Sequence, residues 1–216
     1  MSAARPLSDK AAFSGQKALT NAAGRAIIQG VDADPRDTER RQRALDAFGA
    51  DPFAATAFED LTRVAADLVG TPMAAISVLN RAGGHFKATV GIPGGKRSSD
   101  AFATWALLQP TKVLVVEDAA KDPEMQKALS ETGLESIRFF AAVPLTLSTG
   151  EAIGALCVMG DTPRQVPQEA LEKLRFLGDQ VIRTLEDAST ARHVTEPRQL
   201  SGPARCRRMR SPRRPL

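Results

Sequence analysis

Short apolar segments in the middle of the chain follow one another with only a few residues between them. Met73 to Leu79 is apolar and contains β-branched residues, and a glycine-containing turn leads from it into His85 to Val90. Ile137 to Leu147 and Ala152 to Met159 form a second pair of this kind. Parallel strands need crossover connections of a dozen or more residues, and these pairs lack them. The pattern therefore predicts an antiparallel sheet and an α+β fold.

Periodic apolar residues predict helices on both sides of these strands. One helix should run from Pro35 to Phe48, a second from about 52 to 69, and a long one from Pro167 to Ala188. A further strand is expected from Lys112 to Val116, with short helices at about 99–108 and after Asp122. The predicted sheet has five to six strands, with the terminal helices on one face and the short helices on the other.

The charge of the chain is concentrated near its C-terminal end. The 216 residues include 29 basic and 25 acidic side chains, and residues 197–216 hold seven arginines and no acidic residue. The other residues therefore carry a small net negative charge. We expect a flexible segment at 1–33, a folded domain at 34–190 and a disordered Arg/Pro-rich tail at 191–216. The tail has two interpretations. It is an electrostatic arm that binds nucleic acid or an anionic membrane surface, or it is a solvated terminus without a partner, and the solvated terminus is the simpler interpretation.

Composition excludes several classes of protein. A membrane-spanning helix needs about 20 consecutive apolar residues, and the sequence has no such stretch. The first 13 residues lack the apolar core of a signal peptide, so we expect a cytoplasmic protein without a membrane span. The two cysteines, Cys157 and Cys206, lie in unlike surroundings and form neither a disulfide framework nor a zinc motif.

A series of short motifs in a fixed order gives the chain a family resemblance. In chain order they are Phe58–Leu68, Ala75–Leu79, Phe86–Ala88, Phe102–Pro110, Val115–Asp118, Ile137–Ala141, Pro144-Leu145 and Gly154–Val158. They lie in a body of about 150 residues, from about Pro35 to Ala188, which resembles a GAF domain of the bacterial subgroup that stands before histidine kinases and diguanylate cyclases. No output domain is recognised beside it. The resemblance implies a PAS-like antiparallel sheet, a small-molecule pocket and dimerisation through terminal helices.

The resemblance also implies which residues would line such a pocket. The apolar candidates are Phe86, Phe102, Trp105, Val116, Met125, Ile137, Phe139 and Ala141, with Thr104 and Asp118 as possible polar contacts. Few polar groups among many apolar ones are typical of small-molecule sites. The alternative is that these side chains, Trp105 above all, fill the space as ordinary core. Arg138 should face away from the pocket as a surface or interface charge.

The sequence differs from the subgroup's motif at positions that matter for binding a cofactor. Its short helix commonly reads Phe-Cys-x-His, where this chain has Phe102-Ala103-Thr104-Trp105. Without a thiol at that place we expect no covalently bound bilin, since attachment needs a nucleophilic cysteine. Only two histidines are present, His85 and His193, so haem and metal binding are not favoured. The sequence predicts no cofactor, no metal site and no catalytic residues.

The last predicted helix carries one apolar stripe. Its members are Leu171, Leu174, Leu177, Val181 and Leu185. Their spacing suits both packing on a sheet and packing against a partner helix, so they are the candidates for a homodimer contact. The prediction is a non-catalytic sensory or regulatory module that binds a small molecule or a signalling partner protein non-covalently, as a dimer. The alternative from another class is a nucleic-acid-associated regulator that uses the basic tail.

Overall fold

The strand pairs of the sequence form one five-stranded sheet in the described part of the chain. A computed structural model describes residues 35–48, 53, 56–92, 111–131 and 134–195. The strands are β1 (Met73–Asn80), β2 (Gly83–Val90), β3 (Leu114–Val116), β4 (Phe139–Thr146) and β5 (Ala152–Gly160). The helices are α1 (Pro35–Asp46), α2 (Thr56–Val69), α3 (Pro123–Glu131) and α4 (Gln168–Thr195), with a 3-10 turn at Ala119–Lys121.

All pairings in this sheet are antiparallel. The strand order is β2-β1-β5-β4-β3, which places the two long central strands β1 and β5 side by side. The register between β1 and β2 shifts at Ile76/Ser77, so Ile76 lies opposite Ala88 and Ser77 opposite Phe86. The predicted antiparallel α+β architecture is confirmed.

Helices α2 and α4 cover one face of the sheet, which we call the first face. Phe58 on α2 and Leu174, Val181 and Leu185 on α4 are fully buried against it. The first-face strand residues they meet are mostly large and apolar, such as Phe139 and Leu156. Burial of apolar area on this scale is the main stabilising contribution to such a fold.

The opposite side of the sheet, the second face, has its own apolar cluster. Met125 and Leu129 from α3, together with Leu134 and Ile137 from the segment that follows it, are buried there. Asp122 ends the 3-10 turn, and its side-chain oxygen accepts a hydrogen bond from the Met125 amide at the start of α3. The short helix α3 is thereby held over the sheet.

Helix α1 docks mainly through polar contacts at the turn end of β1 and β5. The Arg41 side chain is buried, its Nε donates to the Ala152 carbonyl at 3.0 Å, and burial lowers its pKa. The guanidinium of Arg81 meets a Glu39 carboxylate oxygen at 2.9 Å. Of the α1 side chains that the structure describes, Leu45 is the apolar one that is buried.

Element boundaries differ modestly from those predicted. The strand expected from Lys112 begins at Leu114, the 3-10 turn was not predicted, and α4 extends beyond residue 190 to Thr195. The predicted short helix at 99–108, the segment at 1–33 and residues 196–216 of the predicted tail lie outside the described residues. Among the described helices, none is long and apolar enough to cross a membrane.

Candidate functional site

The two faces of the sheet differ in side-chain size at their centres. On the second face, Ala75 on β1 lies beside Cys157 on β5, which lies beside Ala142 on β4. In the next row of that face Ser77 pairs with Ala155. We call these five buried residues the small-residue floor.

On the first face the same strands carry branched side chains. Ile76, Leu156 and Val143 form one row across β1, β5 and β4. The helices α2 and α4 press directly on these residues. In this row the side chains of the first face are larger than those of the second-face row Ala75, Cys157 and Ala142. The neighbouring first-face rows also include small residues, Ala74 and Ala141 beside Val158 and Gly154 between Val78 and Leu145.

Larger side chains surround the small-residue floor. Met73, Met159, Phe140 and Val116 form a row along one side, with Phe86 on β2 at another edge. Met125 and Leu129 of α3 belong to the same cluster. The described parts of this site thus consist of a small floor, bulky apolar walls and a short covering helix, a form suited to an apolar guest.

The structure brings together some of the predicted pocket residues and separates others. Phe86, Val116, Met125 and Ile137 all lie in the second-face cluster. Phe139 and Ala141 lie in the first-face cluster, beneath the helices. Phe102, Thr104 and Trp105 lie outside the described residues.

The separation of Phe139 from Ile137 has a simple cause. Ile137 precedes β4, and its amide donates to the Leu134 carbonyl in a turn, so strand alternation begins only at Phe139. The second-face residues of this strand are Phe140 and Ala142. Counting every second residue from Ile137 therefore selects the wrong face of the strand.

Asp118 is held in an ion pair at the edge of the site. Its Oδ1 accepts from Arg138 Nε at 2.8 Å and from the Ala120 amide at 3.3 Å, while Lys121 Nζ lies 3.5 Å from Oδ2. The hydrogen bond from Arg138 lowers the pKa of Asp118, and the same contact raises the pKa of Arg138. Arg138, expected as a surface charge, is a partner of this carboxylate across 20 positions of sequence.

One polar group in the covering helix lacks a partner. The Nε2 atom of Gln126 on α3 is buried and makes no hydrogen bond with any residue that the structure describes. A buried amide donor without an acceptor costs free energy, which a bound acceptor would recover. Sequence inspection did not single out Gln126. Spacing offered a signal for the small-residue floor, since Ala75 and Ser77, like Ala155 and Cys157, recur at the strand period of two.

Cys157 lies in the floor as an unreactive thiol. Its Sγ is fully buried and 3.9 Å from the Ala155 carbonyl oxygen, and burial raises its pKa far above the ordinary value. Within the described residues, no group of three or more His, Cys, Asp or Glu side chains is arranged to hold a metal ion. The arrangement can enclose a guest, and the nucleophile that covalent attachment would need is protonated at neutral pH.

The apolar stripe of α4 packs inside the chain. Leu174, Val181 and Leu185 are fully buried, and Leu171 and Leu177 are partly buried against the same first-face cluster. Phe176 points away from this stripe and is 59% exposed. The stripe thus serves the sheet-packing role that the spacing allowed.

Comparison with known proteins agrees with this architecture. The sequence model of the GAF domain matches residues 54–185. A cyclic di-GMP phosphodiesterase of Pseudomonas aeruginosa is 28% identical over 166 residues, which are 76% of this chain. The chain spans 28% of the length of that relative.

Solved structures share the fold at low sequence identity. A red/green cyanobacteriochrome in its green light-absorbing state superimposes with a TM-score of 0.53 at 16% identity, covering 66% of this chain and 99% of the other. A domain assigned to a two-component sensor histidine kinase of Sinorhizobium meliloti gives a TM-score of 0.51 at 17% identity, covering 65% and 98%. At this level of identity the agreement concerns the fold alone.

Proposed function

The chain belongs to the GAF family, and from that premise we propose that its second face holds a small, mostly apolar molecule non-covalently. A GAF domain is a sensory module of signal transduction and is generally regulatory. The proposal adds where this chain would receive its signal: on the small-residue floor, under α3.

The small side chains at the centre of the second face are the main support for this proposal. Both faces are buried, and the second-face residues Ala75, Ser77, Ala142, Ala155 and Cys157 are all small, whereas the first-face row of Ile76, Leu156 and Val143 is branched. Protein interiors are close-packed, so the space above these small side chains must be filled, and the proposal is that a bound molecule fills part of it beside Met125 and Leu129 of α3. A flat apolar molecule suits such a floor.

Polar groups of α3 and of the loop before it bear on which molecule the proposed site would take. The unpaired Nε2 of Gln126 offers one donor, which favours a guest with a carbonyl or similar acceptor. Asp118 is already satisfied by Arg138, Ala120 and Lys121, so its carboxylate is engaged. Among the described residues the buried charged side chain is Arg41 on α1, and Ser77 is the buried polar residue of the floor, which favours an uncharged guest because an unpaired buried charge is costly.

We propose that the chain regulates a signalling partner protein. Similarity to a cyclic di-GMP phosphodiesterase supports cyclic di-GMP signalling as the setting, while the activity of that relative belongs to a protein of which this chain spans 28%. We also propose that the chain acts as a homodimer. Because the α4 stripe is buried within the chain, the contact between copies would use outward-facing residues such as Phe176.

Native mass spectrometry of the full chain, as purified, tests the binding proposal. We expect a small-molecule adduct that is lost on denaturation, and the same spectrum reports whether the chain is dimeric. Ala142→Leu should remove the adduct by filling the floor. Ala141→Leu, one residue away on the first face, is the matched control and should keep the adduct.

The same two variants give a test that needs no ligand. Overpacking a filled core typically costs about 1–3 kcal/mol, so Ala141→Leu should lower the free energy of unfolding by that amount. Ala142→Leu should cost less than about 1 kcal/mol, because it enters a recess. Equal losses in urea denaturation, together with a chain that carries no adduct, would show the second face to be ordinary core and would refute the proposal.

A further inference from the structure

The segment between β5 and α4 is tied to both layers of the fold by one residue. Arg164 lies in this linker, at residues 161–167, and is partly buried. Its backbone amide donates to the Glu117 carbonyl at 3.0 Å, directly after β3. Its side-chain Nη1 donates to the Val69 carbonyl at 2.9 Å, at the end of α2. One arginine thus joins a loop beside the second face to a helix on the first face.

The side-chain contact completes the C-terminal end of α2. Gly70 adopts φ of +67°, its amide donates to the Asp67 carbonyl, and the Thr71 amide donates to the Ala66 carbonyl. This is the Schellman arrangement, which leaves the last carbonyl of the helix without a partner. The guanidinium supplies that partner, and its positive charge suits the negative end of the helix dipole. A Cβ at Gly70 would lie 3.2 Å from Arg164 Nη1, so the glycine also makes room for the contact.

The backbone contact connects Arg164 to the second-face edge. Glu117 directly precedes Asp118, whose carboxylate is paired with Arg138. Arg138 in turn donates its amide to the Gly160 carbonyl at 2.8 Å, at the end of β5. Residues 117–118, 138, 160 and 164 therefore form one hydrogen-bonded group, next to the 3-10 turn that leads into α3.

We propose that Arg164 is a positioning residue that couples the second-face loop at 117–118 to the helical layer, α2 and the start of α4. Displacement of the 3-10 turn or α3 moves Glu117, and the Arg164 amide carries that movement into the linker. The guanidinium on Val69 keeps the linker fixed to α2, so the movement reaches the helices instead of being absorbed by the linker. The signalling meaning of this coupling rests on the proposed function, but the coupling itself does not need a ligand.

Hydrogen exchange of the full chain, read by mass spectrometry, tests the coupling without a ligand. Asp118→Asn weakens the contact with Arg138 and so perturbs the loop. We expect it to raise the exchange rate of the amides of Gly70, Thr71 and residues 172–177 by about threefold to tenfold, the effect of losing one ordinary net hydrogen bond. In an Arg164→Met background, Asp118→Asn should raise none of these rates further.

Two further variants separate coupling from a general loss of stability. Arg164→Lys keeps a charged donor and should restore part of the response, and Arg164→Leu takes the place of the methionine variant if that one does not fold. Arg175→Met removes an exposed arginine of α4 and should leave the response unchanged. The proposal is overturned if Asp118→Asn never alters exchange in α2 and α4, or if its effect is as large in Arg164→Met as in the wild type. A missing adduct in native mass spectrometry would refute ligand binding and leave this result standing.

Discussion

At the scale of single residues, Cys157 shows how burial decides chemistry. It is the central member of the small-residue floor, and burial raises the pKa of its thiol far above the usual range. The thiolate, and not the thiol, attacks alkylating reagents. We therefore predict that iodoacetamide at about pH 8 leaves Cys157 unmodified in the folded chain and modifies it in urea, as read by peptide mass spectrometry.

The urea sample is the control that the reagent is active. Modification of Cys157 in the native chain at the rate of a free thiol would mean that the second face opens readily or that the thiol is activated. Either result would restore a covalent ligand as a possibility, and non-covalent binding would lose its chemical basis.

The Asp118–Arg138 contact predicts a pH dependence of stability. Because Arg138 lowers the pKa of Asp118 in the folded chain, the unfolded chain binds that proton more strongly. The stabilisation is therefore complete above the unfolded carboxyl pKa of about 3.9, and it is lost as the pH falls through the lower folded value. In urea denaturation, Asp118→Asn should lower the midpoint at neutral pH, and its difference from the wild type should shrink below about pH 4.

A comparison variant makes this prediction specific. Asp187→Asn removes an exposed carboxylate of α4 and should leave the midpoint unchanged across the same range. A difference for Asp118→Asn that stays constant down to acid pH would show that the carboxylate acts through shape or packing and not through its charge.

Several pocket residues proposed from the sequence lie among the large side chains around the small-residue floor, and none of them belongs to the floor itself. Three of the proposed pocket residues, Phe86, Val116 and Met125, lie together in the second-face cluster, as apolar residues of short strands and helices tend to be buried. Phe139 and Ala141 were assigned to the wrong side because the turn at Leu134–Ile137 shifts the phase of alternation. Arg138 and Asp118 lie 20 positions apart, and no local pattern links two such residues.

At the scale of elements, α4 lies unusually close to the sheet at Gly178. A Cβ built at this glycine would lie 2.7 Å from Val143 Cγ1 on β4, closer than real contacts allow. Alanine is favoured over glycine in helices by about 1 kcal/mol, but a valine methyl cannot move aside as a flexible chain can. We predict that Gly178→Ala lowers the free energy of unfolding by about 1–2 kcal/mol, measured by urea denaturation.

The double variant decides whether this contact is the cause. In a Val143→Ala background, which removes the obstructing methyl groups, Gly178→Ala should be neutral or stabilising. Gln180→Ala, on the same helix, is not expected to show this dependence on Val143. If Gly178→Ala is equally harmful in both backgrounds, the close approach of α4 and β4 does not explain the glycine.

The periodic pattern predicted the long elements and, with less accurate bounds, the short strand β3, but it did not predict the 3-10 turn. Helix α4 and the strands β1 and β5 have enough periods of apolar spacing to identify them, and turn residues mark their ends. Strand β3 has three residues and the 3-10 turn also has three, so neither contains a full period. Their positions depend on tertiary contacts, such as the pairing of β3 with β4 and the cap from Asp118.

At the scale of the whole molecule, the net positive charge comes from the last 20 residues of the sequence. Residues 197–216 contain seven arginines and no acid, and the other residues carry 22 basic and 25 acidic side chains. These last residues lie outside the described part of the chain. Any attraction of this chain to polyanions should therefore follow the composition of residues 197–216 and not the folded body.

Binding of the full chain to duplex DNA in a salt titration tests this separation. Arginines that neutralise phosphates release counterions, so log K should fall with log salt by a slope of at most about −6 for seven contacts. We expect binding at low salt only, without sequence preference, and its loss when the seven arginines are replaced by glutamine. Binding that persists after the replacement would come from the folded body. Sequence-selective binding that survives about 0.2 M salt would favour a nucleic-acid regulator over a small-molecule sensor.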